Sequence, residues 1–275
     1  FSVAMLVPAV SSNNGGDVGG KNSINLTFLT VHGSRTTDQR VTLDGLSTNS
    51  AEGAGQHSAY TPNISSTQEM AVDYAGGAAE METGGVRLNV IPKEGGNTFN
   101  GVMYASGMRD GWMQGSNFTD AIKARGLPAP NNINKLWDYN PGFGGPVMRD
   151  KLWFYASWRY LGEQTYSGGF ANANVNDPAK WLYVADPNTR TQNFHEQHSK
   201  NIRLTWQMSP RHKISGFHDD QWRCVCPNAL TPIELPESGT EFHYPWADVN
   251  TMTWSSPYTS RLLFEAGFLR HPEQW

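Results

Sequence analysis

The second half of the chain alternates apolar and polar residues with a period of two, as strands do when successive side chains point to opposite faces. From Thr98 onward this pattern predicts strands over residues 98–108, 140–148, 151–165, 201–208, 213–222, 248–256 and 261–269. Residues 201–208 are the cleanest, with Ile202, Leu204, Trp206 and Met208 on one face and Asn201, Arg203, Thr205 and Gln207 on the other. Residues 151–160 set Leu152, Phe154, Ala156, Trp158 and Tyr160 against Lys151, Trp153, Tyr155, Ser157 and Arg159, so aromatics occupy both faces. Residues 261–269 place Leu262, Phe264, Ala266 and Phe268 opposite a mixture of Arg261, Glu265, Leu263 and Leu269. The stretch 213–222 resists such a division, because Phe217 and His218 fall on the wrong faces.

The connections have a rhythm of their own. The first, third and fifth run to roughly 31, 35 and 25 residues, and the second, fourth and sixth to about 2, 4 and 4, the short-rim and long-rim asymmetry of an outer-membrane barrel. A soluble β-sandwich alternates in the same way. Loop asymmetry, together with Trp and Tyr near strand ends, favours the membrane reading.

Composition narrows the classes. Of 275 residues, 38% are hydrophobic and 17% charged, and no run approaches the roughly 20 apolar residues of a membrane helix. A membrane protein with this sequence must therefore cross with strands. A net charge of −4 lacks the basic surplus of a general nucleic-acid binder. Residues 1–10 show no charged leader and do not start with Met, which suits an internal piece of a longer protein.

Residues 1–97 read differently: they are rich in Gly, Ser, Thr and Asn, with short apolar runs at 24–31 and 86–91. They are expected to form one small mixed α/β unit joined without a linker to the strands of 98–275. Arg40 to Leu43 predicts a strand closed by a tight turn at Asp44 and Gly45, and 68–74 suits a short helix or a strand. The pairs Gly76, Gly77 and Gly84, Gly85 permit close backbone approach. They lack the spacing of a phosphate loop.

Three blocks carry a family resemblance. Val31, His32, Gly33, Ser34, Arg35 with Val41, Thr42, Leu43, Asp44, Gly45 resembles the plug signature of TonB-dependent outer-membrane receptors, in particular the Oar-like group with a carboxypeptidase-regulatory-like extension. Gln68, Glu69 and Glu80, followed by Gly84, Gly85, Val86, Asn89, Val90, Ile91, Lys93, Gly95, Asn97, Phe99 and Gly101, is similar to that group's plug-to-barrel junction. Phe143, Gly144, Gly145, Pro146, Val147 with Asp150, Lys151, Leu152, Trp153, Phe154, Tyr155 resembles its first periplasmic hairpin. Leu6 to Val10 suits the early plug. His32 and Pro92 depart from the usual residues at their places.

The resemblance implies a mainly β fold: a plug over 1–97 and the first strands of a transmembrane antiparallel barrel over 98–275, about seven of the family's 22. It also implies uptake of an external ligand in the outer membrane, energised through TonB and its inner-membrane partners, with no cofactor and no reaction catalysed. The energy-coupling box and signal peptide are then expected before Phe1. Ligand capture would fall to the long loops, which carry Trp112, Asn117, Phe118, Trp181, Tyr183, Phe194, Trp222, Phe242, Tyr244 and Trp246. Exposed aromatics suit stacking on sugars or aromatic chelators, although long loops also use such residues to pack on themselves. No motif chooses between a siderophore, a glycan and a peptide.

His195, Glu196 and His198 are spaced by three where a zinc protease needs two His four apart on a helix, and they are expected in a long loop. His212 belongs to a short turn at the opposite rim from His218, Asp219 and Asp220. Gly115, Ser116 lacks the frame of a nucleophile elbow. Cys224 and Cys226 are the two cysteines of the chain. A disulfide needs a bend to bring residues two apart within about 7 Å; a metal or haem contact and free thiols are the alternatives. Two rival classes are a structural or adhesive barrel without transport and a secreted carbohydrate-binding or hydrolytic all-β protein.

Overall fold

The computed structural model describes residues 7–12, 28–50, 58–74, 83–112, 118–126, 129–228, 230 and 236–274. Its strands are β1 (Val10–Ser12), β2 (Leu29–Val31), β3 (Arg40–Leu43), β4 (Leu46–Ser47), β5 (Thr67–Asp73) and β6 (Arg87–Pro92), then β7 (Asn100–Arg109), β8 (Asn132–Met148), β9 (Leu152–Asn172), β10 (Ala185–Ser209) and β11 (His212–Asn228). β12 (Thr240–Tyr244), β13 (Trp246–Ala247), β14 (Val249–Thr259), β15 (Leu262–Arg270) and β16 (Glu273–Gln274) complete the set, and one helical turn, α1 (Asp120–Lys123), follows β7.

Two sheets dominate. The wall runs β15-β14-β11-β10-β9-β8-β7, all antiparallel, with β12 added beside β11. An inner sheet has the order β4-β3-β6-β5, with β3 and β6 parallel and the other pairs antiparallel. All seven predicted wall strands form. Arg40–Leu43 forms as expected, and the turn after it places Asp44 at φ 50° and Gly45 at φ 80°, the left-handed pair that a two-residue hairpin turn demands. Residues 68–74 resolve to strand, since β5 pairs along β6. The helical part expected of residues 1–97 is represented, among the described residues, by the 3-10 turns Thr36–Asp38 and Ile64–Ser66.

One expectation is corrected. The third connection is much shorter than the pattern implied, because β9 and β10 run for 21 and 25 residues where crossing a bilayer takes about 9–11. Their register continues without a break from Trp206↔Leu152 to Gln192↔Tyr166. Beyond the alternating segment the residues are polar, so apolar periodicity stops while backbone pairing does not. His195, Glu196 and His198 consequently sit in a strand and not in a loop.

The wall's two faces are buried in the reverse of the usual sense. On β10 Ile202, Leu204, Trp206 and Met208 are 41, 46, 43 and 48% exposed, whereas Asn201, Arg203 and Thr205 are 5, 5 and 1% exposed. The inner sheet covers the polar face. A soluble sandwich would do the opposite, since burying apolar area stabilises by about 25 cal/mol per Å². About midway along the strands the outer face carries a row of paired rings, Tyr139, Tyr160, His198 and Trp222, with centroids 6.5, 4.5 and 5.4 Å apart. Trp206 and Trp254 lie toward the short-turn rim. From His198 to Trp206 is eight residues, about 26 Å at roughly 3.3 Å each, comparable with the apolar band of about 25 Å on membrane barrels.

Candidate functional site

The built site of this molecule is the seam between the inner sheet and the wall. Its first part is a thread of backbone, Ser58 to Ser66, laid across the buried polar face and held by side chains of the wall and of β16. Glu273 accepts from the Ala59 N–H at 3.2 Å. Gln221 clamps Thr61 from both sides, accepting from its N–H at 3.1 Å and donating to its carbonyl at 2.8 Å. The Tyr155 hydroxyl donates to the Ser65 carbonyl at 2.8 Å, and Asn140 Oδ1 accepts from the Ser65 N–H at 2.9 Å. Arg159, ion-paired with Asp138 at 2.7 Å, reaches the Pro62 carbonyl at 3.4 Å. A segment without regular structure must satisfy its backbone polar groups somewhere, and here the wall supplies the partners.

Asn63 is the hub of this thread. Its Oδ1 accepts from the Ser65 N–H at 3.2 Å and from Asn140 Nδ2 at 2.6 Å, while its Nδ2 donates to Ser199 Oγ at 3.5 Å. Ser199 donates in turn to Asp219 at 2.8 Å, and Gln221 donates to the other Asp219 oxygen at 3.1 Å. Gly142 makes room for the Ile64–Ser66 turn, because a Cβ there would lie 2.7 Å from the Tyr155 hydroxyl and 3.2 Å from Ser65 Oγ.

The second part is an ion cluster nearer the short-turn rim. Arg203 Nη1 donates to Asp44 Oδ2 at 2.5 Å and Nη2 to Glu94 Oε1 at 3.1 Å, and Lys213 Nζ reaches Glu94 Oε2 at 2.7 Å. Burial pushes the Asp44 carboxyl above its ordinary range even though Arg203 pulls the other way. For Glu94 burial also raises, but the hydrogen bond and charge of Lys213, with Arg203 behind them, outweigh it and leave the carboxyl lowered. The cluster borders an open cleft of about 480 Å³. Between the two parts, Leu43, Tyr60, Val90, Phe217 and Val249 form an apolar cluster shared by both sheets. This accounts for the awkward pair in 213–222: Phe217 faces inward onto the inner sheet, and His218 faces outward onto Asn250 at 2.9 Å. Burial raises the Tyr60 hydroxyl well above its usual value, helped by the charges of Asp219 and Asp44.

At the exit from the seam, Asn97 caps the first short turn. Its Oδ1 accepts from the Asp150 N–H at 2.9 Å and from Trp153 Nε1 at 2.8 Å. Asp150 itself has φ 63°.

The aromatics expected to capture a ligand are not gathered into one place. Trp112, Trp181, Tyr183 and Trp246 are exposed, Trp181 at 92%. Tyr183 donates to the Phe170 carbonyl at 3.0 Å, and Lys123 sits 5.8 Å over the Phe118 ring. Phe194 and Trp222 are displaced from the expected loops into strands, where Phe194 packs 6.3 Å from Trp137 and Trp222 meets His198 edge-on. Tyr244 stacks under Arg223 at 4.2 Å, and Phe242 lies two residues before it on the same strand. Asn117 lies outside the described residues. The seam residues Asn63, Ser65, Asn140, Asp219 and Gln221 went unnoticed in the sequence. The signal available was an inward face too rich in Asn, Gln and Arg to border water alone.

The metal-like motifs also resolve. His195 faces inward, its Nδ1 2.9 Å from Glu163 Oε1, and His198 faces outward; residues three apart in a strand cannot share a ligand face. His212 stacks on Trp254 at 5.8 Å, and Asp220 faces Lys200 at 3.9 Å, on the opposite face of the strand from the inward Asp219. Cys224 and Cys226 are joined by a disulfide with Cα atoms 5.5 Å apart. Beside them, His243 completes a group whose three ligand atoms lie within 4.8 Å of one another.

No family model matches the chain. In sequence it is 28% identical over 159 residues, 57% of its length, to the TonB-dependent transporter Oar of Myxococcus xanthus, of which the match covers 14%. In fold it is similar to the siderophore receptor PirA of Acinetobacter baumannii, with a TM-score of 0.58, 14% identity and coverage of 95% of this chain and 35% of that one. A mutant of the ferric enterobactin receptor PfeA of Pseudomonas aeruginosa, in complex with enterobactin, gives 0.62, 12%, 98% and 38%. The outer-membrane transporter YddB of Escherichia coli gives 0.58, 13%, 89% and 33%. These likenesses bear out the resemblance read from the three sequence blocks and the mainly β fold expected from it. The chain spans well under half the length of each of these proteins.

Proposed function

We propose that the chain is the plug and the opening stretch of wall of a TonB-dependent outer-membrane transporter, with residues 1–97 as the plug and 98–275 as wall strands. The observation that carries this reading is the inverted burial of β10, with apolar residues outward and polar residues sealed beneath the inner sheet. Hydrocarbon is the surrounding in which such an outer face costs nothing and a closed sheet is required. The inner sheet then stands where the pore would run, and the seam is the part that must rearrange to open it. Hydrogen bonds and ion pairs suit such a seam, because water can take over each of them when the surfaces part.

In this reading the exposed Trp112, Trp181, Tyr183 and Trp246 meet the ligand from outside, and TonB with its inner-membrane complex acts on the plug from the other side. The ligand class remains one of siderophore, glycan or peptide. Deleting residues 1–97 from the full-length protein is the direct test. Cells carrying the deletion should become permeable to small hydrophilic antibiotics that the intact outer membrane excludes. Unchanged exclusion, with the deleted protein present and folded in the outer membrane, would overturn the plug assignment.

A further inference from the structure

The hairpin β11–β12 carries chemistry that uptake does not use. Cys224 and His243 are register partners across it, and Cys226 lies two residues further along β11. His243 Nδ1 is 3.6 Å from Cys224 Sγ and 3.7 Å from Cys226 Sγ. A tetrahedral zinc ion with Zn–S of about 2.3 Å and Zn–N of about 2.0–2.1 Å sets each S···N edge at about 3.5 Å. The Cys224 edge of a Cys-Cys-His face is therefore already at coordination length, whereas Cys226 Sγ, also 3.6 Å from Nε2, lies beside the ring and turns toward Nδ1 once its bond to Cys224 opens. The edge between the sulfurs is occupied by the disulfide.

The imidazole is also oriented for the task. Its other nitrogen, Nε2, is 3.1 Å from Glu241 Oε2. Donating one ring N–H to a carboxylate fixes the tautomer that leaves Nδ1 free as a ligand, the arrangement seen behind metal-bound histidines. Glu241 and His243 alternate on one face of β12, as the two cysteines alternate on β11, so the four groups converge from paired backbones. His243 and Cys226 are accessible. Cys224 lies just beyond the aromatic row that ends at Trp222, so the group stands clear of the apolar band.

We infer that this hairpin is a redox-gated site for a thiophilic divalent cation of the zinc type, held by Cys224, Cys226 and His243 Nδ1, oriented by Glu241, with a fourth position open to water or a ligand donor. Opening takes two equivalents of a small thiol. The disulfide gains two electrons and two protons while the reductant becomes its own disulfide. The entering cation displaces both thiol protons to solvent and forms two metal–sulfur bonds and one metal–nitrogen bond. In oxidising surroundings the hairpin is clipped and empty of metal; in reducing surroundings it binds.

The test uses the full-length protein in detergent, oxidised or reduced with a phosphine under anaerobic conditions, and titrated with Co²⁺. Reduced protein should take up one Co²⁺ at this site, with the intense visible bands of tetrahedral cobalt and a thiolate charge-transfer band, and one equivalent of Zn²⁺ should bleach both. Oxidised protein and the double variant Cys224→Ser/Cys226→Ser should show neither. Glu241→Gln should weaken Zn²⁺ binding by about 10–100-fold, and His243→Ala by at least about as much. Retained barrel mobility on unboiled gels establishes that each variant is folded. A reduced protein without the tetrahedral spectrum, a spectrum that survives the double serine variant, or a His243→Ala affinity equal to that of the parent would each overturn the site.

Discussion

The inner sheet and the wall bury their residues by opposite rules, although they are continuous in sequence and share a seam. The inner sheet follows the rule of proteins in water: Val41, Leu43, Leu88 and Val90 are inside. The wall keeps Asn201, Arg203, Asp219 and Gln221 inside and turns Ile202, Leu204, Phe264 and Phe268 outward. Where the two meet, the contact is polar along most of its length, with one apolar cluster around Tyr60 and Phe217. A body with its own core, lying on a wall that offers hydrogen bonds, can be displaced without either partner unfolding. Hydrophobic area holds the inner sheet together, backbone pairing holds the wall, and polar pairs decide how the regions sit on one another.

The largest effect expected at the seam comes from Arg203. Replacing it with Met removes one partner from a buried cluster and leaves Asp44 and Glu94 facing each other without a guanidinium between them, a loss of about 3–5 kcal/mol for such changes. Denaturant unfolding of the full-length protein should show it. The triple variant Arg203→Met, Asp44→Asn, Glu94→Gln should recover most of the loss, because it removes the stranded charge and not only the bond. A triple variant as unstable as the single one would mean that Arg203 acts by packing.

On the outer face the comparison is sharpened by Leu204→Lys, expected to cost about 2–4 kcal/mol near the bilayer midplane. The adjacent Thr205 faces inward, to the lumen or plug side, where it is sealed beneath the inner sheet and within 3.5 Å of Ser215 Oγ, so a lysine there is also costly. A spin label at Leu204 and one at the half-buried Gln207 separate the faces better. A lipid-soluble quencher should act strongly at 204 and weakly at 207. Equal quenching would sink the assignment of the outer face to lipid.

Within the seam, Gln221→Leu should cost about 1–3 kcal/mol, the penalty for leaving buried polar groups unpaired, here the Thr61 backbone and one Asp219 oxygen. The readout is hydrogen exchange of the Thr61 amide against that of an amide in β6. Faster exchange at Thr61 alone is the expected result, since the thread loosens while the inner sheet keeps its own bonds. Equal acceleration at both would show that the inner sheet has no independent stability.

How legible these regions were differs for a physical reason. The wall strands were readable because each must place apolar residues at every second position, and the turn at Asp44 and Gly45 because few residues tolerate positive φ. Strand length was not, since β9 and β10 continue through residues such as Gln164, Asn193 and Gln197, whose pairing is carried by backbone. The seam was also hidden. Asn63 and Asn140 are 77 residues apart, and nothing in either local sequence announces the other. Phe194 was assigned to ligand capture because it lay outside the predicted strands, and Trp222 because it closed one of them at the edge of a long loop; only the register reveals that both line the outer face.

The smallest effect expected is a pH dependence in which the two acids of the ion cluster act with opposite sign. Asp44 is raised from 3.8 by burial, so its contribution to stability is fully present below that unfolded value and is lost as pH rises through its folded value. Glu94 is lowered from 4.5 by Lys213 and then Arg203, against burial, so its contribution is present above 4.5 and is lost as pH falls through its folded value. Glu94 is about a third exposed and partly screened, which keeps its share modest. Between neutral pH and the carboxylate range, the stability of the parent relative to Asp44→Asn should therefore rise on acidification, whereas relative to Glu94→Gln it should fall. Because each variant is compared with the parent at the same pH, titration of every other carboxylate cancels to first order. Unfolding midpoints of the three proteins across that range provide the measurement, and slopes of the same sign would mean that Arg203 and Lys213 do not divide the two acids as the structure has them.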